Sequence, residues 1–383
     1  MSRFSITIFT LALVAMCVTF SCPLSTFPFL KPASEDNTTS TLPQSTYTTQ
    51  PTVITSTSLP QTNNTQLPTD THSPTEQPAS SPTVPIVNSM PIGENSVTYD
   101  VVENIQLKND GSAAASRILL WVALIQNNDP YQTVLSMQII PPEKTTTSDE
   151  YGNLYAEFEF TDIAVEEIIN IEIQYTVLVN QVQFDLSNCT GSVLDTFTNA
   201  ETYLESDSAA IIELSNSLTS DAADVCAQSR AIYDYLGDNM VYSGYMSDDI
   251  GALKALEKLE GDCTEFSDLF ISLNRAADIP AHFLEGVTCC TENGYEAGQN
   301  KHNWAEVYLP NIGWVPVDPT WGRYANNREE YFSKMTPDHI LITRGRNLDT
   351  LLDYHFYAYR YWWDGDSTTV SSEEEWSILK KEN

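Results

Sequence analysis

Positive charge is scarce in this chain. Lys and Arg total 18 against 52 Asp and Glu, a formal net charge of −34 over 383 residues. Residues 1–90 hold only Arg3 and Lys31 against Glu35, Asp36, Asp70 and Glu76, so nearly all of the acidity lies in the remainder. A body this acidic repels phosphate backbones, and nucleic acid is set aside as a partner. The excess of carboxylates favours solubility but defines no substrate. No CxxC pair occurs, and adjacent Cys289-Cys290 is poor spacing for shared tetrahedral zinc ligation. A metal-dependent reading therefore lacks ligands, and no cofactor is called for. Aromatic residues are nearly absent from residues 23–91, which excludes a packed core there.

What is present before residue 92 fits export. Arg3 precedes an apolar run from Phe4 to Phe20, and Ser21 is a small residue before Cys22. Residues 1–22 read as a secretory signal or an N-terminal anchor. Cys22 offers a third mode, lipid modification after cleavage. Residues 23–91, rich in Thr, Ser, Pro, Gln and Asn, read as an extended stalk, with sequons at Asn37 and Asn63. The expected location is extracellular, at the cell surface, with membrane attachment through the N-terminus as one option.

From Ser96 the texture becomes that of strands. Val97, Tyr99 and Val101 alternate, and Ile118–Leu124 is a buried-strand run. Leu154–Phe160 and Ile169–Val177 follow at similar spacing, with turns at 108–111 and 149–153. This pattern predicts an antiparallel β-sandwich over residues 92–185, read as a spacer or binding module. Helices are expected at Ala209–Thr219, Asp224–Leu236 and Asp249–Leu259. A sequon at Asn188 lies between the two textures.

The chemistry concentrates around Cys263. Asp262 is a good N-cap, and Glu265 completes a capping box. Phe266, Leu269, Phe270, Leu273 and Ala277 form an apolar stripe, so Cys263 opens a helix. The free N–H groups and positive dipole end there favour thiolate over thiol. Downstream, residues 302–309 and 313–318 alternate with period two and are joined by Pro310-Asn311-Ile312, a hairpin. A register centred on Pro310 sets His302 opposite Asp318, about 5 Å apart at Cβ on one face. A carboxylate so placed orients an imidazole. Each residue alone has a bland reading: a buried structural Cys, a satisfied His, a strand-capping Asp. Cys, His and Asp in this order, on a helix N-terminus and paired strands, point instead to thiol catalysis.

The chain here resembles the transglutaminase-like superfamily. The motifs are Gly261-Asp262-Cys263-Thr264-Glu265-Phe266, Arg275-Ala276-Ala277-Asp278-Ile279-Pro280-Ala281, His302-Asn303-Trp304-Ala305-Glu306-Val307-Tyr308 and Gly313-Trp314-Val315-Pro316-Val317-Asp318-Pro319-Thr320-Trp321. Together they cover roughly residues 225–325. The resemblance implies an α+β fold: a papain-like/transglutaminase-like catalytic domain over residues 200–345, preceded by the antiparallel β-sandwich. It implies Cys263 as nucleophile, His302 as base and Asp318 as its orienter. Asn303 stands where such proteins often have a small residue, and His282 where they often carry Arg or Tyr.

Tyr242 is an oxyanion candidate beside the Cys263 N–H, and Trp304 and His282 are candidates for the cleft lining. Five cysteines remain beyond the N-terminal segment, an odd number. A free Cys263 beside two bridges is consistent with that count. Cys189 can pair with Cys226, and Cys289-Cys290 can form a vicinal bridge. Residues 346–383 form an aromatic-rich extension, expected as a strand packing onto the core rather than a sugar-stacking surface. The implied activity is acyl transfer through a thioester on protein or cell-envelope peptide amides, as a peptidase, amidase or transamidase. The rival is a non-catalytic adhesion or structural surface protein that retains the fold.

Overall fold

The computed structural model describes residues 92–289 and 301–381. The expectations for the export signal, the stalk, Asn37, Asn63 and Cys290 lie outside the described residues. In chain order the strands of the first half are β1 (Ile92–Asn109), β2 (Ala115–Leu124), β3 (Gln132–Ile140), β4 (Thr145–Ser148), β5 (Leu154–Ile163) and β6 (Ile168–Gln183). A mixed region follows: α1 (Ala209–Thr219), α2 (Val225–Asn239), β7 (Val241–Tyr242), α3 (Gly251–Lys258), β8 (Glu260–Gly261) and α4 (Cys263–Ala276). The chain then runs through β9 (Ala281–Thr288), β10 (Lys301–Leu309), β11 (Gly313–Val317), β12 (Lys334–Met335), β13 (His339–Arg344), β14 (Tyr357–Trp363) and β15 (Val370–Lys380).

Two sheets make the sandwich. One runs β12-β6-β1-β15 with β3 also on β6, and the other runs β14-β2-β5-β4. Alternation places the core: in β6, Ile171, Ile173, Tyr175, Val177 and Val179 all point inward and are buried. The C-terminal segment is not a separate extension. β15 pairs antiparallel with β1 from Tyr99↔Lys380 to Asn109↔Val370, and β14 pairs with β2. Tyr357 and Tyr359 are buried in the sandwich core, as aromatic residues on a half-covered strand should be. The tail is thus a strand pair of a discontinuous sandwich.

The sandwich is also more than a spacer. Tyr131 donates its hydroxyl to the His339 carbonyl at 2.8 Å. Gln132 makes two bonds to the Leu341 backbone, donating from Nε2 at 2.9 Å and accepting at Oε1 at 2.8 Å. A sandwich turn therefore fixes the position of β13 and, through it, one edge of the third sheet.

That third sheet runs β11-β10-β9-β13. One of its faces packs Phe283, Ala305, Val307 and Val315 against Phe266, Phe270 and Leu273 of α4. Leu284, Trp304 and Leu341, on the other face, join the sandwich core. α4 is therefore covered on nearly all sides, well beyond the single stripe its sequence shows, and its polar residues need partners inside the protein. Arg275 donates to the Ala281 carbonyl at 3.1 and 2.9 Å and to the Asn199 carbonyl at 2.8 Å. Asp268, fully buried, accepts from Arg346 Nε at 3.1 Å. A central helix held by such bonds gives its N-terminus little freedom. Among the described residues, no helix is long and apolar enough to cross a membrane.

Candidate active site

The N-terminus of α4 is built by its cap. Asp262 accepts from Thr264 N at 2.8 Å through Oδ1 and from Met246 N at 2.8 Å through Oδ2. Glu265 reaches back to accept from Asp262 N at 3.1 Å and also accepts from Ile250 N at 3.2 Å. Burial, and then the neighbouring Asp262 charge, push the Glu265 carboxyl up to about 7. Gly261 is required by close approach, since a Cβ there would lie 2.3 Å from Glu265 Cβ. This frame places Cys263, a free and half-buried thiol, at the first helical position.

His302 is the second residue of β10, and its ring lies beside Trp304 and Trp321, with centroids 6.0 and 5.3 Å away. His302 Nε2 faces Asp318 Oδ2 at 2.8 Å, and Cys263 is near enough to favour the charged imidazole. Burial disfavours the charged imidazole, but Asp318 and then Cys263 outweigh it and lift His302 to about 9. Asp318 is fully buried. Burial opposes its ionisation, yet His302 and then His339 hold it well below the usual carboxylate range. The structure thus brings Cys263, His302 and Asp318 together.

The hairpin register differs from the expected one. Leu309 pairs with Gly313 and Glu306 with Pro316, so the turn is centred on Asn311. Asn311 and Gly313 take the positive φ values, 58° and 99°, that this turn needs. The shift is two residues, which leaves every side chain on its expected face. Asp318 therefore reaches His302 diagonally from beyond the end of β11, the kind of diagonal contact that neighbouring strands allow.

Asn303 points to the helix side, where its Nδ2 donates to Thr264 Oγ1 at 2.9 Å. This bond ties the strand carrying His302 to the residue after Cys263, which explains an amide where a small residue was expected. The other candidates lie further out. Tyr242 pairs its backbone with Gly261, two residues before the thiol, and its half-exposed ring lies 4.6 Å from the Arg323 guanidinium. His282 pairs across from Glu306, four residues along β10 from His302. Its Nδ1 meets Glu306 Oε1 at 2.9 Å, and its ring stacks on Trp314 at 3.9 Å. Trp304 is fully buried. With His282 it lines a cavity of about 440 Å³ between this sheet and the sandwich, apart from Cys263.

The sequence reading missed His339. It is fully buried, with Nε2 at 3.2 Å from Asp318 Oδ2 and Nδ1 at 2.8 Å from Asp338 Oδ1. The signal in the sequence was only the Asp338-His339 dipeptide before an apolar run. His302, Asp318 and His339 converge closely enough to suggest metal ligands, but the Nε2 atoms of both histidines sit at hydrogen-bond distance from the same carboxylate oxygen. The other such group among the described residues, Cys189, Asp224 and Cys226, contains the Cys189–Cys226 disulfide.

Residues 212–319 match the model of the transglutaminase-like superfamily, so this part of the chain is a transglutaminase-like domain. An uncharacterized protein of Bacillus subtilis (strain 168), YebA, is 32% identical over 139 residues, covering 32% of this chain and 18% of that protein's length. Among solved structures, a "Putative Cysteine Protease" from Cytophaga hutchinsonii shares the fold with a TM-score of 0.54 and 18% identity over 76% of this chain and 92% of that one. The periplasmic domain of TgpA from Pseudomonas aeruginosa aligns at a TM-score of 0.30 and 15% identity over 59% of this chain and 90% of its own, too distant to argue from.

Proposed function

We propose that the protein is a thiol acyl-transfer enzyme acting on protein or peptide amides. The observation that supports this best is the grouping of Cys263, His302 and Asp318, with a free thiol at a helix N-terminus, close enough to raise the basicity of an imidazole that is hydrogen-bonded to a buried carboxylate. In this reading Cys263 attacks the amide carbonyl, forming a thioester as the C–N bond breaks. His302 passes its proton to the leaving amine. Water or a second amine then attacks the thioester, gives a proton to His302 and releases Cys263. The N-terminus of α4 supplies backbone N–H groups for the developing oxyanion, with Tyr242 the candidate second donor.

The test is the Cys263→Ala protein against wild type on a fluorogenic peptide amide, with and without an added primary amine. Loss of amide cleavage in the variant supports the reading, and equal turnover in both proteins removes it. Product analysis in the wild type separates hydrolysis from transamidation. The protein is further proposed to act outside the cytoplasm. Support comes from the N-terminal apolar run, the Thr/Ser/Pro segment and a Cys189–Cys226 bridge, which persists best in an oxidising compartment. Cell fractionation with mass analysis of the mature N-terminus checks this, and a cytoplasmic protein with an intact leader would contradict it.

A further inference from the structure

His339 has no part in the three-residue line, yet it is the most enclosed imidazole of the site. Both of its nitrogens face carboxylate oxygens: Nε2 at 3.2 Å from Asp318 and Nδ1 at 2.8 Å from Asp338. An ionised carboxylate only accepts, so each nitrogen has to bring a proton. A neutral imidazole has one. The geometry therefore calls for the doubly protonated ring, a fixed cation behind Asp318.

We infer that His339 is a positioning residue for this site: a buried imidazolium that fixes the Asp318 carboxylate and limits how tightly that carboxylate holds the proton of His302. The inference rests on the acyl-transfer reading and deepens it.

Two observations support the positioning. Asp318 accepts four hydrogen bonds, from His302 and His339 on Oδ2 and from Thr320 N (2.8 Å) and Trp321 N (3.0 Å) on Oδ1. All four of its lone-pair directions are taken, so the carboxylate cannot rotate without breaking a bond. Asp338 is held in turn by a 2.6 Å hydrogen bond from Thr336 Oγ1.

The tuning is electrostatic. The His302 and His339 rings lie 5.5 Å apart on one shared anion. A cation at His339 offsets part of the Asp318 charge that His302 feels. His302 is then basic enough to pair with a thiolate, yet not so basic that it withholds its proton from a leaving amine. The other titratable groups facing this cluster leave the balance intact. Tyr331 follows a short turn of helix at residues 328–330, Tyr233 comes from α2, and Tyr131 and Tyr99 come from the sandwich. Burial pushes all four phenols further up, and they stay neutral. Cys263 acts on His302 and favours its charged form. Burial works against the His339 charge, but Asp318 and Asp338 outweigh it and raise the group to about 9, in line with the geometry. No proton leaves His339 in the cycle, so it makes no bond to substrate.

The experiment uses His339→Gln, which keeps a donor amide but no charge, and Asp338→Asn, which removes the anion that stabilises the second proton. In the wild-type background, the basic limb of the kcat/KM profile reports loss of the His302 proton. It should move up by about one to two pH units in His339→Gln and in the same direction in Asp338→Asn. kcat should fall with KM little changed. Independently, His302 is titrated by NMR in full-length Cys263→Ala protein with and without His339→Gln, a readout that needs no turnover. An upward shift of about one unit or more supports the inference. Variants that fold but leave both the limb and the NMR titration in place overturn it and reduce His339 to packing. If His339→Gln fails to fold, Asp338→Asn decides by the same two readouts. Absence of any amide turnover in the wild type counts against the acyl-transfer reading, whereas the NMR titration still decides the role of His339.

Discussion

Asp318→Asn is the substitution whose effect the structure specifies most fully. The side chain is fully buried and accepts two hydrogen bonds on each oxygen. An amide keeps the shape but turns an NH2 toward one pair of donors, whichever way it is rotated, and it removes the anion that His302 needs. His302 is raised from 6.5 to about 9 in the folded protein, with Asp318 the main favourable cause. A raised imidazole stabilises the fold fully below the unfolded value, and that contribution fades as pH rises through the folded one. The shift is worth about 3 kcal/mol at pH 6 and close to nothing at pH 9.5. Asp318 itself is ionised in folded and unfolded chains across that window, so the lost acceptors add a constant offset. The destabilisation by Asp318→Asn should thus be at least about 3 kcal/mol larger at pH 6 than at pH 9.5, because His339, raised to about 9 with the help of the same carboxylate, loses it too; urea denaturation at the two pH values reads the difference. In thermal melts the extra loss is roughly 6–12 °C. Equal destabilisation at both pH values would refute the pairing of the two imidazoles, His302 and His339, with Asp318. Amide turnover in the same variant should fall by about 10³-fold or more, as expected when an imidazole loses its orienting carboxylate.

Four further outcomes follow from the packing. Gly261→Ala forces a Cβ onto Glu265 and should cost about 1–3 kcal/mol in denaturant melts, with activity lost at temperatures where the protein stays folded. Asn303→Ala removes the bond to Thr264; stability should drop by about 1 kcal/mol, and kcat should fall further than that drop explains. Arg346→Ala strands the buried Asp268 carboxylate and should cost about 3–5 kcal/mol; Asp268→Asn in the same chain should recover part of it. Opening the Cys189–Cys226 bridge, which spans 37 residues, with a reductant should lower stability by about 4 kcal/mol in chemical melts, and the Cys189→Ala/Cys226→Ala protein should lose most of that response, since the Cys289 bridge stays in place.

Local signals in the sequence carried much of the site. The capping residues Asp262 and Glu265 set where α4 begins, and strand alternation put His302 and Asp318 on one face. That conclusion survives a register shift of two because side chains repeat every two residues. The turn itself was misplaced, since Pro310 looks like its centre while Asn311 is the residue that takes the left-handed backbone. Long-range pairing left no local trace. β15 lies about 270 residues beyond β1 in sequence yet is its neighbour, so the tail looked like an appendix. His339 was hidden for the same reason. Nothing near Asp338-His339 indicates that β13 will be clamped by Gln132 and turned toward Asp318. The apolar stripe of α4 showed one contact face, whereas the burial of Asp268 and Arg275 depends on partners supplied from distant segments, Arg346 and residues 199–201.

The central claim, that Cys263 carries an acyl group, is tested most directly by trapping the intermediate. Wild-type protein is mixed with a slowly deacylating activated peptide ester, quenched in acid and digested for mass spectrometry. The account predicts the acyl mass on the peptide containing Cys263, its absence in Cys263→Ala, and slower acylation in His302→Ala. Turnover of amide substrate with no adduct on Cys263, or an adduct that forms equally in Cys263→Ala, would contradict it.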